Sequence, residues 1–149
     1  MFEISDFYDY CKKNRVDVIP FMGCPQPGAT IRDQDQYAVF LDFSKIRSTR
    51  LLRGVCFHEL GHLATGALHK VNSPFELAER SEYRANRWSA QHFLTPEDFR
   101  QAFSYGCREI WQLAEYFDLP ERDVRNAYVY WHDRQGINFE KHTQKGDRI

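Results

Sequence analysis

Ser48-Thr49-Arg50-Leu51-Leu52-Arg53-Gly54-Val55-Cys56-Phe57-His58-Glu59-Leu60-Gly61-His62-Leu63-Ala64-Thr65 is the stretch from which the rest of the chain can be organised. It contains no proline and opens on Ser48 or Thr49 as an N-cap, so it predicts a helix. Four helical residues advance by about 400°, which leaves His58 and His62 about 40° apart, one turn apart on one face. Glu59 lies about 100° round from His58. Leu52, Cys56, Leu60, Leu63 and Ala67 form an apolar stripe roughly opposite the histidines, so the helix can bury one side and offer two imidazoles on the other. Gly54 and Gly61 flank the histidine face, where the missing side chains let a substrate or another element come close.

Two histidines one turn apart can bind one metal ion, and the offset of Glu59 suits a carboxylate that reaches water on that ion without becoming a ligand. A catalytic zinc site takes three protein ligands and keeps one open position, so a third donor is required. His69 is nearest in sequence, but position 65 is Thr and 68 is Leu, which breaks the His-x-x-Gly-x-x-His spacing. Glu82 fits better. On its helix it shares a narrow face with Ala78, Ala85, Asn86 and Ser89, small residues that permit close helix packing, while Arg80, Arg84, Arg87 and Gln91 lie opposite. Glu79 is the rival carboxylate, about 60° away, and reads equally as a first-turn charge favoured by the helix dipole. Asn86, one turn after Glu82, is placed to hydrogen-bond the outer nitrogen of a liganding histidine. A His₂–carboxylate set holds Zn²⁺, and Mn²⁺ also satisfies it.

Outward from this region, Phe2, Phe7, Tyr10 and Cys11 predict an N-terminal helix ending on Lys12-Lys13, and Val16 to Phe21 and Tyr37 to Asp42 read as two strands separated by the loop Gly23 to Gly28. Ser73-Pro74-Phe75-Glu76 announces a helix reaching about Leu94, and Thr95-Pro96-Glu97-Asp98 a short one stopping at Gly106. Arg108 to Phe117 and Glu121 to Trp131 give two more, and the polar stretch from Gln135 is expected to fray. The fold class is therefore α+β: a mainly helical domain, with a small sheet beside the active-site helix and a helical C-terminal part. With 149 residues the chain suits one domain over 1–149.

Twenty Lys+Arg against 21 Asp+Glu give a net charge of −1, no broad positive field for a polyanion, so direct nucleic-acid binding is not expected. An acidic N-terminus, no apolar run long enough to span a bilayer and four scattered cysteines point to a soluble cytoplasmic protein without disulfides.

His58-Glu59-Leu60-Gly61-His62, followed by Glu82-Tyr83-Arg84-Ala85-Asn86-Arg87-Trp88-Ser89-Ala90 and then Phe93-Leu94-Thr95-Pro96, resembles the ImmA/IrrE metallopeptidases. That family's pattern runs His-Glu-x-x-His, then Glu-x-Glu-Ala-Asn-x-Phe-Ala, then two apolar residues, one more and Pro. The first block is shared by many zinc peptidases; the second distinguishes the family. The resemblance implies a zincin-like, gluzincin-type domain with His58, His62 and Glu82 as zinc ligands and Glu59 as catalytic base. It also implies a protein substrate, a helix-turn-helix repressor in a phage, mobile-element or stress system. Arg84 stands in place of the second Glu, and Trp88 and Ser89 in place of Phe and Ala; none is a proposed ligand.

Extended substrates commonly add a strand to a sheet edge, and Tyr37 to Asp42, with Tyr37, Val39 and Leu41 on one face, is the edge strand expected to receive one. Two other functions compete. Residues 107–134 carry a helix-turn-helix-like pattern, the mark of a DNA-binding regulator, but acids outnumber arginines there, which fits packing or a protein surface better. The other rival keeps the metal without peptidase activity, as a binding module or a hydrolase of another substrate.

Overall fold

The computed structural model describes residues 1–68 and 75–140. Its elements are α1 (Ile4–Lys13), β1 (Asp17–Pro20), β2 (Gly28–Asp33), β3 (Gln36–Leu41), α2 (Thr49–Thr65), α3 (Phe75–Phe93), α4 (Pro96–Ser104), α5 (Ile110–Phe117) and α6 (Glu121–Val129), with Tyr130–Arg134 continuing α6 as a π-helical turn. This is the mainly helical α+β architecture expected. The start signal at Ser73-Pro74 and His69 lie outside the described residues, as does the tail beyond residue 140.

α2 begins where the cap predicts: Ser48 Oγ accepts the Leu51 N–H at 3.1 Å. It ends at Gly66, whose φ of 64° is a left-handed conformation that a side chain would strain. Cys56, Leu60 and Leu63 are buried along the predicted stripe and join Phe2, Phe7, Leu94, Phe99 and Phe117 in one core. α4 starts on a capping box in which Thr95 Oγ1 accepts the Asp98 N–H and Asp98 accepts the Thr95 N–H.

Two strand expectations are corrected. Gly28 to Asp33, read in part as loop because of Pro25, Pro27 and Gly28, is a strand, and the sheet has three strands in the order β1-β3-β2. β3 is parallel to β1 and antiparallel to β2, so it is the central strand rather than an edge. Tyr37, Val39 and Leu41 do share a face, but Val39 and Leu41 point into the core and are fully buried. A strand hydrogen-bonded on both sides has no backbone groups left for a substrate. That capacity belongs to the outer strands, and of these β2 packs on α2.

Among the described residues α2 and α3 share the most extensive contact of any two helices, and Gly61 lets their backbones approach. A Cβ there would stand 2.4 Å from the Ala85 carbonyl oxygen and 2.8 Å from Ser89 Oγ. Ser89 Oγ meanwhile donates to the Phe57 carbonyl at 2.8 Å, pinning the two helices across the gap. Because the obstacle is backbone, Gly61→Ala is expected to force the helices apart at a cost of roughly 1–3 kcal/mol. A thermal melt of the metal-free protein reads this as a Tm lower by several degrees; an unchanged Tm would show the crossing to be loose.

Gly54, one turn before His58, admits the α5–α6 turn in the same way. A Cβ there would lie 2.4 Å from Pro120 Cγ and 2.9 Å from Asp123 Oδ2. Beside it the buried Arg53 guanidinium donates to the Asp118 and Phe2 carbonyls at 2.9 and 2.6 Å and to Glu3 at 2.9 Å. The helix-turn-helix-like turn is thus packed onto the histidine helix. Among the described residues no helix is long and apolar enough to cross a membrane.

Candidate metal centre

His58 and His62 face α3 from one side of α2, and their Nε2 atoms lie 3.1 Å apart. Glu82 reaches them from α3, with Oε2 2.9 Å from His58 Nε2 and Oε1 3.1 Å from His62 Nε2. Ligand atoms of these three residues lie within 4.8 Å of one another, and no other such group of three or more occurs among the described residues. Glu79, the rival acid, is exposed and outside the group.

The outer ring nitrogens decide whether this set suits a cation. His62 Nδ1 is 2.6 Å from the Ala67 carbonyl, which can only accept, so that nitrogen carries the proton. The same carbonyl accepts from Ser81 Oγ at 2.5 Å, which fixes the chain after α2. His58 Nδ1 donates to Asn86 Oδ1 at 3.2 Å, the contact expected of Asn86 from its position one turn after Glu82. In their neutral forms the two imidazoles would therefore each turn an Nε2 lone pair toward the other and toward a carboxylate. Lone pairs this close repel unless a proton or metal ion sits between them, and two nitrogens with one carboxylate are the donor set of a divalent ion such as zinc.

Electrostatics agree. Burial works against a charged His58, but its hydrogen bond to Glu82, with the fields of Glu59 and Glu82, outweighs this and raises it to about 9. Burial likewise opposes the Glu82 carboxylate, and the hydrogen bonds from His58 and His62 overcome it and hold the acid well below its ordinary range. A divalent ion held by these three residues would take the place of the proton that this pair shares.

Glu59 is buried beside the histidines, and its Oε2 accepts the Thr30 hydroxyl at 2.6 Å. Sequence reasoning missed Thr30 because its strand was hidden by the prolines before it. The β-branched pair Thr30-Ile31 was a signal for the strand only; alternation would have turned Ile31 inward, whereas Ile31 is exposed and Thr30 faces Glu59.

Asp123 was missed too, counted only as a surface acid. It lies on the buried face of α6 with Val124 and Ala127, a spacing legible on a helical wheel. Burial pushes its carboxyl up to about 6, against the pull of His58 and Arg122. An unfolded Asp titrates near 3.9. Between these values the native state holds a proton the unfolded chain has lost, so stability falls as pH rises from about 4 to about 6, by roughly 2–3 kcal/mol in all. In metal-free protein, Asp123→Asn is expected to melt near wild type at pH 4 and several degrees above it at pH 7.5. Equal melting at both values would show the carboxyl to be solvated.

Two histidines one turn apart, a glutamate next to the first and a carboxylate from a second helix form the donor arrangement of His₂–Glu metallopeptidases. The family model of the IrrE N-terminal-like domain, a peptidase family, matches residues 48–127, more than half of the chain. The chain belongs to this family, as the resemblance of residues 58–62 and 82–96 led one to expect. No curated protein and no solved structure matches it. The matched span runs from the cap of α2 into α6 and excludes the sheet. Of the family positions at which this chain departs, Arg84 is exposed, Trp88 stacks on His92 with ring centroids 3.9 Å apart, and Ser89 makes the interhelical bond described above.

Proposed function

We propose that the protein is a zinc-dependent endopeptidase, one domain over residues 1–149, that cleaves a helix-turn-helix transcriptional repressor in the cytoplasm. The observation that carries the catalytic part is the convergence of His58 Nε2, His62 Nε2 and the Glu82 carboxylate beside the buried Glu59. The substrate is the one that the resemblance to the family implies.

In this reading His58, His62 and Glu82 hold the ion, and Asn86 and the Ala67 carbonyl keep the two imidazoles in the liganding tautomer. A zinc ion bound there supplies Lewis acidity, which makes water a usable nucleophile near neutral pH and polarises a carbonyl. Glu59 takes the proton of the attacking water and returns it to the leaving amine as the peptide bond breaks. The outer edge of β2, which packs on α2, aligns an extended peptide in this reading, in place of the central strand Tyr37 to Asp42; its position at the edge of the sheet supports this. Net charge and the packing of the α5–α6 turn against Gly54 favour a protein partner over DNA.

The test incubates zinc-loaded protein with a purified helix-turn-helix repressor and reads fragments by mass. Cleavage should stop on chelation and return with zinc. Stoichiometric zinc with the repressor bound but intact would replace this reading by a metal-holding binding module.

A further inference from the structure

β2 does more than border the active helix. In the antiparallel pairing with β3, Gly28 lies opposite Leu41 and Thr30 opposite Val39. Residues directly opposite share a face, so Gly28 and Thr30 look inward with the buried Leu41 and Val39, toward α2. At Gly28 the strand backbone comes so close that a Cβ would stand 2.5 Å from Val55 Cγ1, 3.2 Å from Glu59 Cγ and 3.3 Å from Glu59 Oε1. Two residues on, the Thr30 hydroxyl donates to Glu59 Oε2 at 2.6 Å. One strand thus confines the side chain of Glu59 at its stem and grips one of its oxygens.

We propose that Thr30 is a positioning residue for Glu59, holding its carboxylate so that Oε1 is the oxygen presented to the attacking water. This rests on the peptidase reading above and deepens it. A hydroxyl whose proton is directed at Oε2 orients the carboxylate plane and takes up part of that oxygen's accepting capacity. Oε1 lies 3.3 Å from where a Cβ on Gly28 would stand, so the missing side chain leaves room beside that oxygen. Without the Thr30 hydroxyl the carboxylate can rotate about its last bond, and productive orientations become a fraction of those sampled. The strand that grips Glu59 is also the one placed to align substrate, so the peptide and the base are positioned by the same backbone. Thr30 lies outside the span matched by the family model, which begins at residue 48.

The experiment compares wild type, Thr30→Val, Thr30→Ser, Glu59→Gln and the Thr30→Val/Glu59→Gln double variant, all zinc-loaded. Thr30→Val keeps the shape and removes the hydroxyl. It should lower kcat roughly tenfold to a hundredfold, the range for a hydrogen bond to a charged group, with KM changed less than about twofold. Thr30→Ser should restore most of the loss. In the Glu59→Gln background, Thr30→Val should lower the residual rate no further. An equal loss in both backgrounds, or no rescue by Ser, would overturn the proposal and make Thr30 a packing residue. Melting of metal-free Thr30→Val, Glu59→Ala and their double variant is read independently of activity: Glu59→Ala removes the group that Thr30 bonds, so the Tm shifts of the singles should fail to add in the double. Additive shifts would overturn the proposal even if no repressor were cleaved. Absence of cleavage by the wild type, with non-additive melting, would reject the peptidase reading and leave the contact standing.

Discussion

Glu59→Gln is expected to keep its zinc and lose roughly 10²- to 10⁴-fold in kcat, the range for removing a positioned general base. The substitution leaves the volume unchanged, and the Thr30 hydroxyl, donor and acceptor alike, can still bond the amide. His58, His62 and Glu82 are untouched, so metal content should stay at wild-type stoichiometry, and KM should move little because the outer edge of β2 is unaltered. What the amide cannot do is accept a proton from water and hand it on. Metal content by mass spectrometry and cleavage rate by quantified fragments check the two halves separately. Undiminished turnover in a zinc-loaded variant would remove Glu59 from the mechanism.

Glu82→Ala should fail at an earlier stage, by losing the metal. Its carboxylate is the only donor that α3 brings to the histidine pair among the described residues, with both oxygens engaged at 2.9 and 3.1 Å. Removing a group behind a ligand commonly costs 10–100-fold in metal affinity, and removing the ligand should cost at least roughly the upper end of that range. A competitive zinc titration against a chelating dye reads it directly. Glu79→Ala, one helical turn earlier and exposed, is the internal control and should bind zinc as wild type does. If the two variants lost equal affinity, the third ligand would have been misassigned. Excess zinc should restore some cleavage to Glu82→Ala but none to Glu59→Gln, which separates holding the ion from moving the proton.

The two variants also show why one helix was legible before the other. On α2 the spacing of His58, Glu59 and His62 carries its own geometry, because 3.6 residues per turn fix the separation of two side chains on one rod. Glu82 could be preferred to Glu79 from its small neighbours, but that it meets the histidines is a fact about the crossing of α2 and α3 at Gly61. Asn86 was drawn from the same wheel, and its 3.2 Å contact with His58 follows from the same crossing.

By itself the sequence determined what is local and periodic: the capped helix at Ser48, the one-turn spacing of the histidines, the apolar stripe behind them, and the two motif blocks that identify the family. Tertiary structure alone decided which strand lies at the edge of the sheet, since alternation tells which face a residue takes but not which neighbour its backbone bonds. Tyr37 to Asp42 therefore read as an edge and proved central, while the strand that reaches Glu59 sat behind two prolines. Asp123 is the same lesson in charge. An acid at a helix start reads as solvated until the turn before it packs onto Gly54, because burial is a property of what arrives from elsewhere in the chain.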